Sequence, residues 1–145
     1  MENEKDIALK LYVVLTRALE AVNRRVKADV KNYGLNITEF GVLELLYHKG
    51  DQPIQKIGDK VLIASSSITY VIDQLEKKRF VIRRPCPNDR RITYASLTDE
   101  GHRLIETIFP KHRDAVAEIF SVLSLEEKKQ LIEQLKRLGY FAQQN

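Results

Sequence analysis

Between residues 65 and 77 the chain sets short hydroxyls, a phenol, a carboxylate, an amide and a cation at helical spacing: Ser66, Thr69, Tyr70, Asp73, Gln74 and Lys77. Positions three and four apart share a helix face, so these groups form one hydrogen-bonding surface. The intervening Ile68, Val71, Ile72 and Leu75 follow the i, i+3, i+4, i+7 rule and mark the opposite, core-directed face. Ser65, Ser66 and Ser67 offer hydroxyl caps at the start. A helix face that merely solvates usually carries a Glu/Lys ladder, whereas this one is built for contact with something polar.

Charge points the same way. From Lys56 to Arg91 nine basic residues stand against four acidic ones, so this segment carries +5 and the rest of the chain −1, within a total of +4. A localised basic stripe is the footprint of a polyanion partner, with a solvated face as the bland alternative. Its far end, Pro85-Cys86-Pro87-Asn88-Asp89-Arg90-Arg91, has turn composition. Phe80–Arg84 before it and Ile92–Leu97 after it are rich in strand formers, which predicts a two-stranded hairpin with a basic tip.

Catalytic constellations are missing from the sequence. It has no Gly-rich phosphate loop, no nucleophile elbow and no acidic motif for a two-metal site, so no enzyme is expected. His48, His102 and His112 lack zinc-ligand spacing, and no metal or other cofactor is expected. Ser65–Ser67 read as cap and contact surface, not as nucleophiles. The single cysteine, Cys86, excludes an intrachain disulfide. It lies among Arg83, Arg84, Arg90 and Arg91, whose field would lower a thiol pKa. Two readings stand: a redox switch at the hairpin, or a passive loop residue.

The elements that must hold these groups are mostly helices. A chain of 145 residues, 43% hydrophobic and 30% charged, suits one folded domain. No apolar run reaches the ~18 residues of a membrane span, and the acidic N-terminus does not resemble a secretion signal, so a soluble cytoplasmic protein without membrane contact is expected. Ile7, Leu11, Val14, Ala18, Val22, Val26 and Val30 predict a helix over 5–32, stopped at Gly34. Leu9, Leu15 and Leu19 lie off that stripe, so this helix needs more than one partner. Thr38 is expected to cap a second helix, with Phe40, Leu43, Leu46 and Tyr47 inward and Gly50 at its end. Pro53 opens a third around Ile54–Val61, and residues 62–64 form the turn before the helix with the polar face. Thr98 caps a helix running towards residue 122, with a kink or break expected at Pro110. Ser124-x-x-Glu127 is a capping box for the last helix. Leu125, Leu131, Ile132, Leu135 and Leu138 give that helix its stripe.

Three helices, the third hydroxyl-rich, followed by a basic-tipped hairpin, is the order of a winged helix-turn-helix. The expected fold is mainly α: three helices plus a two-stranded β wing, flanked by N- and C-terminal dimerisation helices. Residues 1–34 and 102–145 form the dimerisation layer and 35–101 the winged, DNA-binding region. Ser, Thr and Gln can bond base edges or phosphates, Tyr70 can pack on a thymine methyl, and arginine suits a narrow minor groove. The apolar terminal helices, and the few base pairs one helix reads, argue for a homodimer on a palindromic operator.

The residues also resemble the multiple-antibiotic-resistance (MarR-type) regulators. Leu75-Glu76-Lys77-Lys78 leading into Phe80-Val81, then Arg84, Asp89-Arg90-Arg91 and Leu97-Thr98-Asp99-Glu100-Gly101 carry the likeness, which extends over essentially the whole chain. The resemblance implies that Ser65, Ser66, Ser67, Thr69, Tyr70 and Gln74 lie on the DNA-facing helix. It makes Arg91, with Arg90 beside it, the wing-tip residue, oriented by Asp89 through a paired hydrogen bond. It also implies a repressor released by a small aromatic or phenolic ligand bound between the dimer layer and the winged domain. Members answering to quinone-like electrophiles or catechols are similar enough to mention. Tyr12, Phe40, Tyr47, His48 and Phe109 are the candidate lining residues, each equally explained as core packing. Peroxide-sensing relatives carry a cysteine in the first helix, where this chain has none. One departure stands out: the family usually has glycine where this chain has Arg79. If that position needs positive φ, arginine costs on the order of 1 kcal/mol or more, unless the turn differs or a phosphate contact compensates. The alternative function is a ligand-binding or protein-interaction module on the same fold without sequence-specific DNA readout. A binder of DNA backbone alone is a third reading.

Overall fold

A computed structural model describes residues 3–61 and 67–144 of the chain. The expected turn at 62–64, with Ser65 and Ser66, lies outside the described residues. Helix α1 (Glu4–Lys31) starts at Asn3, whose side chain accepts from the Asp6 N–H. Gly34, at φ 77°, turns the chain after it. Helix α2 (Ile37–Lys49) is capped by Asn36 and not by Thr38. Asn36 accepts from the Glu39 N–H at 2.8 Å and the Glu39 carboxylate accepts from the Asn36 N–H at 2.9 Å. The reason is spacing: Glu39 lies three residues after Asn36, as a reciprocal box requires, and only one after Thr38.

A two-residue strand β1 (Gln52–Pro53) leads into α3 (Ile54–Lys60), then α4 (Ile68–Lys77). Strands β2 (Val81–Pro85) and β3 (Thr93–Leu97) form the hairpin, in register from Val81↔Leu97 to Pro85↔Thr93. β1 adds to the other edge of β3 through Gln52↔Ala95, giving an antiparallel sheet ordered β1-β3-β2. The expected two-stranded wing therefore gains a short third strand, which holds its base to the start of α3. Helix α5 (Asp99–Ile119) begins at Thr98, which accepts from the Gly101 N–H, and runs unbroken through Pro110. Of the kink or break expected at Pro110, the break does not occur; the residue is exposed, where the lost hydrogen bond is least costly. Helix α6 (Leu125–Ala142) opens with the expected Ser124/Glu127 capping box.

The core lies where α2, α3, α4 and the sheet meet the end of α1 and the first half of α5. Leu43, Ile57, Ile72, Leu75, Ile105 and Val30 are fully enclosed there. Burying such side chains stabilises by roughly 1.5–3 kcal/mol each relative to exposure. The terminal helices are different. α6 buries none of its residues, and Leu9, Leu11, Val14 and Leu19 of α1 are exposed.

Helix α4 ends in a Schellman turn. The Phe80 N–H reaches the Leu75 carbonyl at 3.0 Å and the Arg79 N–H that of Glu76 at 2.9 Å. The residue this turn forces into the left-handed region is Arg79, at φ 67°, the one such non-glycine among the described residues. A side chain with a Cβ at this φ costs on the order of 1 kcal/mol. Thr98 braces the turn: the Thr98 hydroxyl donates to the Arg79 carbonyl at 2.6 Å, and the Thr98 N–H to that of Phe80 at 3.0 Å.

Candidate nucleic-acid interface

Helix α4 divides as its spacing requires. Val71, Ile72 and Leu75 are buried, while Thr69, Tyr70 and Lys77 are exposed and Gln74 is half-buried. Tyr70, Asp73, Gln74, Glu76 and Lys77 line an open groove of about 480 Å³ along the outer side. Ser67 precedes the helix, exposed, and makes no side-chain cap bond, contrary to expectation. Its backbone carbonyl accepts from the Val71 N–H, the first intrahelical bond of α4.

At the wing tip, Asp89 and Arg91 form the expected pair. The Arg91 Nε and Nη2 donate to the two Asp89 oxygens at 3.1 Å each, and its backbone N–H adds a third bond at 3.0 Å. These bonds, the side-chain ones first, hold the Asp89 carboxyl below the usual carboxylate range. Arg91 keeps 89% of its side chain exposed despite the pairing. An oriented, exposed guanidinium is pre-organised for a narrow negative groove. Arg90 beside it is exposed, and Gln55 of α3 donates to the Arg91 carbonyl at 3.4 Å.

Arg83 differs from the other arginines of the stripe. From β2 it reaches α4, where it pairs with Asp73 at 2.7 Å and with Glu76, and donates to the Thr69 carbonyl at 3.4 Å. Lys78 is also engaged, pairing at 2.8 Å with the buried Glu39. Counting charges along the chain treats all nine cations alike; the sequence carries no signal for which ones the protein itself neutralises.

The candidate ligand residues are only partly brought together. Phe40 and His48 line a largely apolar cavity of about 450 Å³, with Val26, Val61, Lys60 and His112 among its other walls. Tyr47 and Phe109 lie beside it, with Phe109 stacked edge-on to His48 at 4.8 Å between centroids. Tyr12 stands apart, 71% exposed on α1, and does not line this cavity. Position 12 lies on the half of α1 that extends past the winged unit, a length the periodicity alone does not locate.

Sequence reading missed the polar knot that anchors His112, one wall of this cavity. Asp29 of α1 accepts from the Tyr33 hydroxyl at 2.8 Å, and its other oxygen meets Nδ1 of His112 at 2.9 Å. His112 stacks on Phe40, with ring centroids 4.4 Å apart. Burial, then the bond to Asp29 and its charge, push the Tyr33 phenol up to about 12. Asp29 and His112 are 83 positions apart, so no local pattern announces them. Among the described residues, no three or more His, Cys, Asp or Glu side chains are grouped to hold a metal ion. No helix among them is long and apolar enough to cross a membrane.

Comparison with known proteins agrees with this geometry. A model of the MarR family matches residues 35–93. The HTH-type transcriptional regulator MhqR of Bacillus subtilis is 53% identical over 94% of each chain. The transcriptional repressor MprA of Escherichia coli is 33% identical over 84% of this chain and 68% of its own. In fold, the MarR family regulator Sco3205 of Streptomyces coelicolor, solved in complex with DNA, superposes with a TM-score of 0.81 at 24% identity, over 96% of this chain and 88% of its own. The chain belongs to the MarR family of DNA-binding, winged helix-turn-helix transcriptional regulators.

Proposed function

We propose that this protein is a homodimeric repressor that reads a palindromic operator and is released by a small aromatic, phenolic or quinone-like ligand. Residues 35–101 are the winged DNA-binding region, and 1–34 with 102–145 the dimerisation layer. Ser65, Ser66, Ser67, Thr69, Tyr70 and Gln74 contact the major groove, Arg90 and Arg91 the minor groove, and Asp89 holds Arg91 in its reading orientation.

The observation that carries this reading is the pairing of an exposed polar helix face with an exposed, Asp89-oriented arginine at the wing tip. Two groove-entering elements on one rigid unit are what base readout needs. The dimer is supported by Leu131, Ile132, Leu135 and Leu138 of α6, all exposed in the single chain. Repression is supported by the likeness to MprA, a transcriptional repressor. The ligand is supported by the cavity beside Phe40 and His48, which has the size and apolar lining of a small-molecule site.

The test is fluorescence-anisotropy binding to the DNA upstream of the protein's own gene against scrambled duplex, over a range of salt. Binding ~10³-fold tighter to the upstream DNA is expected, and the complex then serves to screen aromatic ligands for release. Equal binding to both duplexes with a steep salt slope would reduce the protein to a backbone binder.

A further inference from the structure

Arg83 looks by sequence like one more phosphate-binding cation of the basic stripe. Its surroundings give it other work. The guanidinium is only 30% exposed and spans three residues of α4: the Thr69 carbonyl, Asp73 and Glu76. These positions are four and then three apart, so Arg83 runs along one edge of the helix for nearly two turns. Gln55 makes the second tie, from α3 to the wing-tip backbone at Arg91. The wing is an isolated hairpin beyond β1, and such a ribbon holds no fixed angle by itself.

We propose that Arg83 is a positioning residue for operator recognition: it clamps the wing to α4 and offsets part of the charge of the two carboxylates there, without contacting DNA itself. This rests on the reading that α4 and the wing tip enter adjacent grooves. Two consequences follow from the forked geometry. The angle between helix and wing is fixed before DNA arrives, so Arg91 and the α4 hydroxyls arrive together. Asp73 and Glu76, sharing one guanidinium, also repel less the phosphates that flank a groove-bound helix. Lysine cannot replace this fork, because its single ammonium bonds one carboxylate geometry at a time.

The experiment uses the full-length protein, an operator duplex isolated from a random pool by the wild-type protein, and a scrambled duplex. The charge-balanced variant Arg83→Gln/Glu76→Gln and the charge-retaining Arg83→Lys are each combined with Arg91→Ala in a double-mutant cycle. Circular dichroism and melting identify variants that stay folded. The clamp predicts that both variants lose about tenfold in operator-over-scramble preference with an unchanged salt slope. It also predicts that Arg91→Ala, costing tenfold or more in the wild type, costs less than about threefold once the clamp is gone. In the free protein, amide exchange across residues 81–92 should speed up at least tenfold.

A phosphate contact gives the opposite pattern and overturns the proposal. Arg83→Lys then binds nearly normally, Arg83→Gln/Glu76→Gln weakens both duplexes alike with the salt slope reduced by about 1, and the losses add to those of Arg91→Ala. Unchanged amide exchange also overturns it. If Arg91→Ala is harmless in the wild type, the groove reading itself fails, a result separable from failure of the clamp by the exchange measurement.

Discussion

The winged unit and the terminal helices use apolar residues to opposite ends. In the winged unit Leu43, Ile57, Ile72 and Leu75 are sealed, and the exposed surface is polar or basic. In α1 and α6 comparable leucines, Leu9, Leu11, Leu131 and Leu135, stand 38% exposed or more. One region is finished as a single chain and the other is not. The difference teaches that apolar periodicity identifies a face to be covered but not what covers it. In this protein the two answers divide cleanly between the winged unit and the terminal helices.

The hardest blow to that contrast is Leu131→Glu with Leu135→Glu. If the α6 stripe is a subunit interface, four leucines per dimer, 38% and 42% exposed in the single chain, lose about 0.8 kcal/mol each, roughly 3 kcal/mol of association, and the introduced carboxylates add the cost of burying charge. Sedimentation should show monomers at micromolar concentration, with operator binding lost and the helical signal of the winged unit kept. Unchanged dimers would place the interface elsewhere. Leu43→Ala probes the other region and should cost about 2–5 kcal/mol in urea unfolding with the subunit state unaltered. A Leu43→Ala protein that also dissociates would show that the two regions fold as one.

Arg79→Gly is predicted to stabilise by about 1 kcal/mol, because glycine adopts φ 67° without a Cβ penalty. A raised melting temperature checks it; a loss would mean that the arginine side chain has a stabilising partner. The last effect shows only as a pH dependence in alkaline solution and concerns the seam between the regions. The Tyr33 phenol is raised to about 12, so the folded state favours its protonated form. That contribution is complete below the unfolded value of about 10 and is lost as pH climbs from there through the folded one. Stability should therefore fall between about pH 10 and 12, and Tyr33→Phe should flatten this limb.

Helices, hairpin and their order are legible in the sequence because each rests on local chemistry: 3.6-residue periodicity, the Asn/Asp/Pro turn and the Ser124 box. The Asp89–Arg91 pair is reached through the family likeness, and the bond is present at the wing tip. Misplacing the α2 cap at Thr38 was avoidable, since Glu39 sits at box spacing from Asn36. Other features are set by distance across the fold. β1 exists because Gln52 meets Ala95, and a two-residue strand leaves no periodic trace. Arg83 is diverted to α4 by the hairpin's placement, and the Asp29–His112 contact joins opposite ends of the chain. Tyr12 illustrates the converse: an aromatic of suitable type on a helix that has already passed the cavity.

The joint where α4 ends and α5 begins acts as a weld. Thr98 is bonded to two successive carbonyls, and a Cβ on Gly101 would fall 2.1 Å from the Phe80 carbonyl oxygen, so there is no slack to slide. α5 is then a rod of about 30 Å, at 1.5 Å per residue, fastened rigidly at one end to the turn that closes α4. A tilt of about 4° at its far end becomes about 2 Å at the near one by leverage alone. Two such rods facing each other across a dimer would change the separation of their reading heads by about twice that. On the proposed palindromic operator, with half-sites one helical turn apart, a few degrees between the subunits would be mechanically equivalent to misplacing a key by most of a tooth.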